Sequence, residues 1–255
     1  MRRLNKPLAA FFSLLLIILP QRGVAETINV AVASNFAETL EQLAAVFEQQ
    51  SEHSINLIRG SSGRHYGQIM SGAPFDVLLS ADSLRTAQLE REGRISPDTR
   101  QVYAYGRLVL FSIKPLLNQS VKELLSDPAL NRLATANSRL APYGEAAMQV
   151  IDSLELNTAL SRKLITGENI GQTFQFVASG NADLGLVALS QALASPITGF
   201  YKLVPDSLYR PIEQELVILK DSSAARGFVA LILSEAGRQI ITEAGYLTAI
   251  TAVGN

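Results

Sequence analysis

The chain has 255 residues, 47% hydrophobic and 18% charged, and this composition excludes an intrinsically disordered protein. The first 25 residues hold four basic side chains and no acid, which leaves 18 basic against 23 acidic residues in the rest and disfavours a nucleic-acid-binding protein. The absence of cysteine excludes disulfides, thiolate catalysis and cysteine-ligated zinc.

Residues 1–25 have the three parts of an export signal. A positively charged start precedes an apolar stretch over residues 8–19, and Val24-Ala25 offers small residues for cleavage. The alternative is an uncleaved membrane anchor, but about a dozen apolar residues fall short of the ~20 that span a bilayer. We predict a signal peptide that is cleaved after Ala25.

The first half of the remaining chain alternates short apolar runs with helical periodicity. The predicted strands cover residues 27–33, 55–59 and 75–80. The predicted helices run from 36 to about 53, over 66–70 and over 84–91. Successive strand-helix units of this kind imply a parallel sheet with right-handed crossovers.

The second half repeats the alternation after a change of pattern near Tyr103. Tyr105-Gly106 is typical of a turn, and we place the first crossing between two lobes there, before a strand at 108–113. The other predicted elements are strands at 133–136, 184–187 and 215–219 and helices at 121–125, 145–154, 172–178, 224–233 and 235–244. The late strand suggests a return to the first lobe, so we assign residues 26–105 and about 216–255 to lobe I and 106–215 to lobe II.

Four of the strand-to-helix corners carry small or polar residues. They are Ala33-Ser34-Asn35-Phe36, Gly60-Ser61-Ser62-Gly63, Ala141-Pro142-Tyr143-Gly144 and Asn169-Ile170-Gly171-Gln172. The N–H groups of a first helical turn have no partner inside the helix and carry the positive end of its dipole, so such corners receive anions. Two corners in each half indicate a clamp.

The two corners of the first half each have a simpler interpretation. Ser34 or Asn35 could cap its own helix, which these side chains do routinely. The glycines around Ser61 and Ser62 let a backbone approach a ligand closely, but they also suit a flexible turn. Of the two serines, Ser62 is the better candidate for ligand contact because it is closer to the helix start.

The corners of the second half leave a similar choice. Tyr143 offers a phenol one residue after a proline suited to the first helical turn, but it could simply pack in the core. Ile170 would contribute only its backbone N–H.

Enzyme signatures are missing from the sequence. It contains no Gly-x-Ser-x-Gly nucleophile elbow, phosphate-binding loop or dinucleotide glycine fingerprint, and His53 and His65 do not form a helical metal pair. The alternative from this class is a secreted hydrolase in which Ser62 and His65 act together, although no third residue is evident to orient the histidine. We predict that the protein is not an enzyme.

Longer stretches around the corners resemble a known family. They are VAVASNF, GSSGRHYGQIMSGAPFDVLLSAD, Ala141-Pro142-Tyr143-Gly144 and Gly167-Glu168-Asn169-Ile170. In these stretches the chain resembles the periplasmic molybdate-binding proteins of ABC importers. The similarity extends over most of the mature chain. The resemblance implies an α/β, type II periplasmic-binding-protein fold. Two lobes, each with a central mostly parallel sheet flanked by helices, would enclose the ligand in the cleft between them.

The resemblance also implies a site. By position, the oxyanion would be bound through its oxygens, without direct metal coordination, by Ser34, Asn35, Ser62, Tyr143 and Ile170. The ligand would be molybdate or tungstate, with no cofactor.

One departure from the family pattern concerns a tyrosine. Many relatives place a ligand-binding tyrosine in the strand where this chain has Ala188, and some take the phenol from a Pro-Tyr-Gly corner instead. Ala188 is therefore left out of the predicted site, and Tyr143 would supply the phenol.

The resemblance finally implies location and partners. A periplasmic monomer would present the captured ion to the permease subunits of an ABC importer with a cytoplasmic ATPase. A binding protein for another small anion is the nearest alternative.

Overall fold

The computed structural model describes residues 25–248. The predicted signal peptide lies outside this range except for Ala25, as does the end of predicted lobe I, residues 249–255. Among the described helices, none has the length and apolar character needed to cross a membrane.

Two five-stranded sheets form the centres of the two lobes. The first, in the order β2-β1-β3-β10-β4, contains β1 Thr27–Ala33, β2 Ser54–Gly60, β3 Val77–Ser80, β4 Gln101–Gly106 and β10 Ile212–Ile218. The second, in the order β7-β6-β8-β5-β9, contains β5 Leu108–Ser112, β6 Leu133–Ala136, β7 Leu164–Gly167, β8 Leu184–Ala188 and β9 Phe200–Leu203. In the first sheet β10 runs antiparallel to its neighbours, and in the second sheet β5 does so. The other strands of each sheet run parallel to one another. The predicted two-lobed α/β architecture is confirmed.

Helices follow most of the strands. They are α1 Ala37–Gln50, α2 Ser62–Met70, α3 Ser83–Arg91, α4 Val121–Leu125, α5 Pro142–Ser153, α6 Asn157–Leu160, α7 Ile170–Ala178, α8 Leu189–Ala194, α9 Ser223–Leu233 and α10 Glu235–Glu243. Short 3-10 helices cover Ser34–Phe36 and Asp206–Leu208. Amphipathic spacing explains the longest of them, because Leu40, Leu43 and Phe47 of α1 are buried against the first sheet and α9.

Most predicted elements are confirmed, and the strands at 27–33 and 133–136 agree to the residue. The turn predicted at Tyr105-Gly106 is wrong. These residues end β4, which pairs antiparallel with β10, and the chain crosses to the second sheet at Arg107. Partner strands distant in sequence override the local turn signal of a glycine.

Five short strands and α-helices of the described chain have no counterpart in the prediction: β4, β7, β9, α6 and α8. Strand β9 is an edge strand with mostly exposed residues, so it lacks the apolar alternation that marks a half-buried strand. Helix α6 has only four residues, too few to show helical periodicity.

Candidate functional site

The first corner lies where β1 meets the 3-10 helix Ser34–Phe36. The Ser34 hydroxyl donates to the Gly60 carbonyl oxygen over 2.9 Å, and Ala33 is paired with Gly60 in the β1-β2 register. Because the carboxyl ends of parallel strands meet at one edge of a sheet, the first two predicted corners are neighbours.

The side chain of Asn35 is occupied by protein partners. Its amide nitrogen donates to the Gln214 side-chain oxygen over 2.8 Å and to the Tyr246 hydroxyl over 2.9 Å. The backbone carbonyl oxygen of Asn35 accepts from the Ser190 hydroxyl over 2.8 Å and from the Tyr246 hydroxyl over 2.7 Å. The donor of Asn35 that remains for a ligand is its backbone N–H, which lies in the first turn of the 3-10 helix.

The second corner divides its tasks between two serines. Ser61 is the N-cap of α2 and its hydroxyl accepts from the Arg64 N–H over 3.4 Å. Ser62, the first residue of α2, is fully buried, and its hydroxyl oxygen accepts from the Ala81 N–H over 2.9 Å. That bond uses only the oxygen of Ser62, so the hydroxyl proton is available for an acceptor.

The third corner places a buried phenol at the start of α5. Tyr143 is 1% exposed, and burial raises the pKa of its hydroxyl well above the ordinary value, which keeps it a donor. Among the described residues the hydroxyl has no hydrogen-bond partner of normal geometry, although it lies near Asn35 and Tyr246. A buried polar group without a partner is unfavourable by about 1–3 kcal/mol, and a bound oxyanion would supply the missing acceptor.

The fourth corner begins α7 at Ile170. Its N-cap, Asn169, accepts from the Gln172 N–H over 3.0 Å, while Ile170 is 3% exposed and lies at the first helical position. Gly171 faces the first corner closely, since a β-carbon there would lie 3.4 Å from Cβ of Ser34. The fourth corner therefore meets the first across the boundary between the lobes.

The structure brings the five predicted residues together in one buried region. Ala33 and Ala81, from the ends of β1 and β3, share an apolar cluster with Tyr143, Ile170 and Ala188. All five predicted residues are buried. Every polar group they direct to this region is neutral, because none is an acid, a lysine or an arginine.

Hydrogen bonds also join the lobes beside this region. The Gly63 N–H donates to the Leu140 carbonyl oxygen over 2.9 Å, and the Arg85 guanidinium donates to the Arg139 carbonyl oxygen over 2.7 Å. Asp82 holds Arg85 through an ion pair of 2.7 Å. The lobes are thus closed on each other around the corners.

Several grooves open at the lobe boundary within the described part of the chain, and two of them lie beside predicted corners. One of about 420 Å³ is lined by Ser34, Arg59, Asn169 and Gly171 among others. Another of about 440 Å³ is lined by residues that include Ala81 and Pro142. Both grooves border predicted corners, so a small ion would have a short path to the buried region.

His65, the base of the hydrolase alternative, is bonded to groups other than Ser62. Its Nε2 atom lies 3.0 Å from the Val32 carbonyl oxygen, and Nδ1 lies 3.1 Å from Oε1 of Gln68, whose amide must turn to donate to a neutral ring. Since a carbonyl oxygen can only accept, Nε2 carries the proton and donates it there. Burial lowers the pKa of His65, and both ring nitrogens are engaged away from Ser62.

Sequence reasoning missed the residues that hold Asn35. Gln214, Tyr246 and Ser190 are 179, 211 and 155 positions away from it. No motif marks them, because their role depends only on where the return strand, the last helix and α8 meet the first corner.

A family model described as bacterial extracellular solute-binding protein matches residues 28–247. This chain belongs to that family. The molybdate-binding protein ModA of Azotobacter vinelandii is 41% identical over 227 residues, 87% of this chain and 90% of the relative. The protein of the same name from Rhodobacter capsulatus is 37% identical over 229 residues, 89% of this chain and 90% of the relative.

Solved structures agree with these relatives. The Azotobacter vinelandii periplasmic molybdate-binding protein superposes on this solute-binding protein with a TM-score of 0.82 at 37% identity, covering 86% of this chain and 98% of that one. The sulfate-binding protein SubI of Mycobacterium tuberculosis H37Rv, with a TM-score of 0.74 at 16% identity, covers 90% of this chain and 88% of its own and shares the fold. The predicted resemblance and the periplasmic-binding-protein fold are confirmed.

Proposed function

We propose that this protein captures molybdate between its two lobes outside the cytoplasm and delivers it to an ABC-type importer. The observation that carries the proposal is the meeting of four corners, from both lobes, around a buried phenol that has no hydrogen-bond partner of normal geometry within residues 25–248. The relatives at 41% and 37% identity that are named molybdate-binding proteins support the choice of ion.

The proposed ligands are neutral donors. The hydroxyls of Ser62 and Tyr143 and the backbone N–H groups of Asn35 and Ile170 would bind the oxygens of the ion. The Ser34 hydroxyl would join them by turning its proton from the Gly60 carbonyl oxygen toward the ion. Each hydrogen bond to a charged group contributes about 1.5–3 kcal/mol, and each partly buried helix terminus up to ~2 kcal/mol. Several such donors offset the large cost of burying a dianion, and no lysine is needed.

Ion size would set the specificity. Molybdate, tungstate and sulfate are all tetrahedral dianions, so charge alone does not separate them. Donors placed for the larger ions would lie too far from the oxygens of sulfate. We therefore expect tungstate to bind nearly as well as molybdate and sulfate to bind poorly.

The proposal includes the rest of the transport cycle. The mature chain would be a periplasmic monomer without cofactor or enzymatic activity, and its closed form would dock on permease subunits coupled to a cytoplasmic ATPase. We assign lobe I to residues 26–105 and the C-terminal part, and lobe II to the segment between. The C-terminal part begins at about residue 216 in this proposal, and the start of β10 at Ile212 supports a return to lobe I near that position.

Calorimetric titration of refolded, ligand-free protein with molybdate, tungstate, sulfate and phosphate tests this function. We expect tight binding of the first two ions at one site per chain. Elemental analysis of the protein as purified should show molybdenum or tungsten. Binding of a different anion alone, or turnover of an ester with no oxyanion binding, would contradict the proposal.

The two adjacent serines of the second corner provide a sharper test of the site. Ser62→Ala removes a proposed ligand hydroxyl, and we expect the dissociation constant for molybdate to rise at least several-fold. Ser61→Ala is the matched comparison, because it removes the cap of α2 and lowers stability by about 1 kcal/mol but leaves the ligand hydroxyls in place. Since Ser62 is also fixed by the Ala81 N–H, fraying of α2 in Ser61→Ala should weaken binding less than Ser62→Ala does. Equal affinities for the two variants would remove Ser62 from the site.

A further inference from the structure

The hydroxyl of Tyr246 joins elements that are far apart in the chain. Tyr246 follows α10 and is 2% exposed. Its segment is fixed to the first sheet by two hydrogen bonds between Tyr105 and Leu247, of 2.7 and 3.0 Å. The Tyr246 hydroxyl therefore reaches the first corner from a rigid position.

Among the described residues this hydroxyl makes three hydrogen-bonding contacts of normal geometry, and the Tyr143 hydroxyl lies nearby. The Tyr246 hydroxyl donates to the Asn35 carbonyl oxygen over 2.7 Å, accepts from the Asn35 side-chain nitrogen over 2.9 Å, and lies 3.0 Å from the Ser190 hydroxyl. The Ser190 hydroxyl in turn donates to the same Asn35 carbonyl over 2.8 Å. Asn35, Tyr246 and Ser190 thus form a buried triangle of hydrogen bonds.

The triangle spans the lobe boundary. Asn35 and Tyr246 are attached to the first sheet, whereas Ser190 lies in α8, directly after β8 of the second sheet. Bonds from Ser190 to the other two residues require the lobes to be closed. Within lobe I, Gln214 holds the remaining side of Asn35, since its amide nitrogen donates to the Ile212 carbonyl oxygen and orients its own oxygen toward Asn35.

We propose that Tyr246 and Ser190 are positioning residues for oxyanion binding: they hold Asn35 so that its backbone N–H faces the ion, and they couple that corner to lobe closure. This inference rests on the proposed function. An interaction made only in the closed form stabilises that form relative to the open one, so it raises ligand affinity without touching the ligand. Its loss should appear mainly in the rate at which the ion leaves.

The test compares Tyr246→Phe, Ser190→Ala and the double variant with the unaltered protein. We expect each single change to speed the release of labelled molybdate roughly three- to tenfold, the loss of about one hydrogen bond. Because both changes break the same triangle, the double variant should lose less than the two single losses combined.

Tyr103→Phe is the matched control. Tyr103 is another buried tyrosine that packs on the Phe36 ring at 4.9 Å, but its hydroxyl has no hydrogen-bond partner among the described residues. We expect the Tyr103→Phe variant to release labelled molybdate at the same rate as the unaltered protein. Urea unfolding of each ligand-free variant reports the separate effect on stability.

The outcomes separate the two proposals. If the unaltered protein binds no molybdate, the proposed function fails. If it binds but both single variants release the ion at the unaltered rate, Tyr246 and Ser190 have at most a structural role and the inference is overturned. Additive losses in the double variant would also overturn it. Should Tyr246→Phe not fold, the release rate of Ser190→Ala decides.

Discussion

Gly106 shows how one missing side chain shapes the candidate site. A β-carbon at this position would lie 2.1 Å from the hydroxyl oxygen of Tyr143 and 2.9 Å from its ring carbon Cζ, so no other residue fits without moving the phenol. The glycine ends β4, directly before the chain crosses to the second lobe. A feature that resembles a turn in the sequence is thus a point of close approach between lobes.

Gly106→Ala should therefore displace Tyr143 from the site. We expect the dissociation constant for molybdate to rise about tenfold or more, the equivalent of one charged hydrogen bond. Gly67→Ala is the control, because a β-carbon in that part of α2 meets nothing within 4 Å and should raise stability by up to ~1 kcal/mol. Calorimetric titration of both variants measures the difference, and an unchanged affinity for Gly106→Ala would place the phenol outside the site.

His65 gives the fold a dependence on pH. Burial lowers its pKa below the ordinary value of 6.5, so the folded chain keeps the ring neutral where the unfolded chain takes up a proton. The stability contributed by the neutral ring is complete above pH 6.5 and is lost as the pH falls below that value.

Urea unfolding at about pH 7.5 and about pH 5.5 tests this linkage. We expect the free energy of unfolding of the unaltered protein to fall between the two values, and His65→Gln to show a smaller fall. Parallel pH dependences in the two proteins would contradict a neutral buried imidazole.

At the scale of elements, capped helix starts recur in both lobes. Asn169 caps α7 by accepting from the Gln172 N–H, and Ser222 caps α9 by accepting from the Ala225 N–H. The two caps are alike in local geometry, but only α7 begins at a predicted corner. The geometry of a cap therefore does not by itself distinguish a helix start at the proposed site from one elsewhere in the fold.

Asn169→Ala and Ser222→Ala make a matched pair. Each should lower the free energy of unfolding by about 1 kcal/mol, because each loses a helix cap. Only Asn169→Ala should also weaken molybdate binding, since the frayed first turn of α7 would no longer hold the Ile170 N–H in place. Molybdate titration and urea unfolding of both variants test this prediction. Equal molybdate affinities would show that the start of α7 does not contact the ligand.

At the scale of the whole molecule, the proposed binding of molybdate would be coupled to the closure of the two lobes. The lobes meet through the Gly63 and Arg85 bonds on one part of the boundary and through the Ser190 bonds on another. An oxyanion bound between them would accept hydrogen bonds from donors of both lobes and so add to these contacts. Binding should therefore stabilise the folded chain as a unit.

Thermal unfolding measures this stabilisation. Molybdate at about 100 times its dissociation constant should add ~2.7 kcal/mol, which raises the midpoint by roughly 5–10 °C in a chain of this size. The same concentration of sulfate should leave the midpoint unchanged, and Ser62→Ala should reduce the shift with molybdate. An equal shift with sulfate would contradict selection by ion size.

The amino-acid sequence by itself determined the local parts of this protein. Apolar runs and helical spacing predicted most strands and helices, because the period of a buried face is set by neighbouring residues. Small and polar residues marked all four corners, and at two of them Ser61 and Asn169 cap the helix with a side chain. The ligand roles of Ser34, Asn35, Ser62, Tyr143 and Ile170 stay predictions.

Only the tertiary structure decided how those parts meet. It made Tyr105-Gly106 the end of a strand and placed Tyr246 and Ser190 on Asn35. It also left the Tyr143 hydroxyl without a hydrogen-bond partner in the part of the chain that the structure describes. Each of these depends on residues that are distant in the chain and are brought together by sheet pairing and lobe contact. Local patterns carry no record of such partners, because the contacts exist only once the whole core has packed.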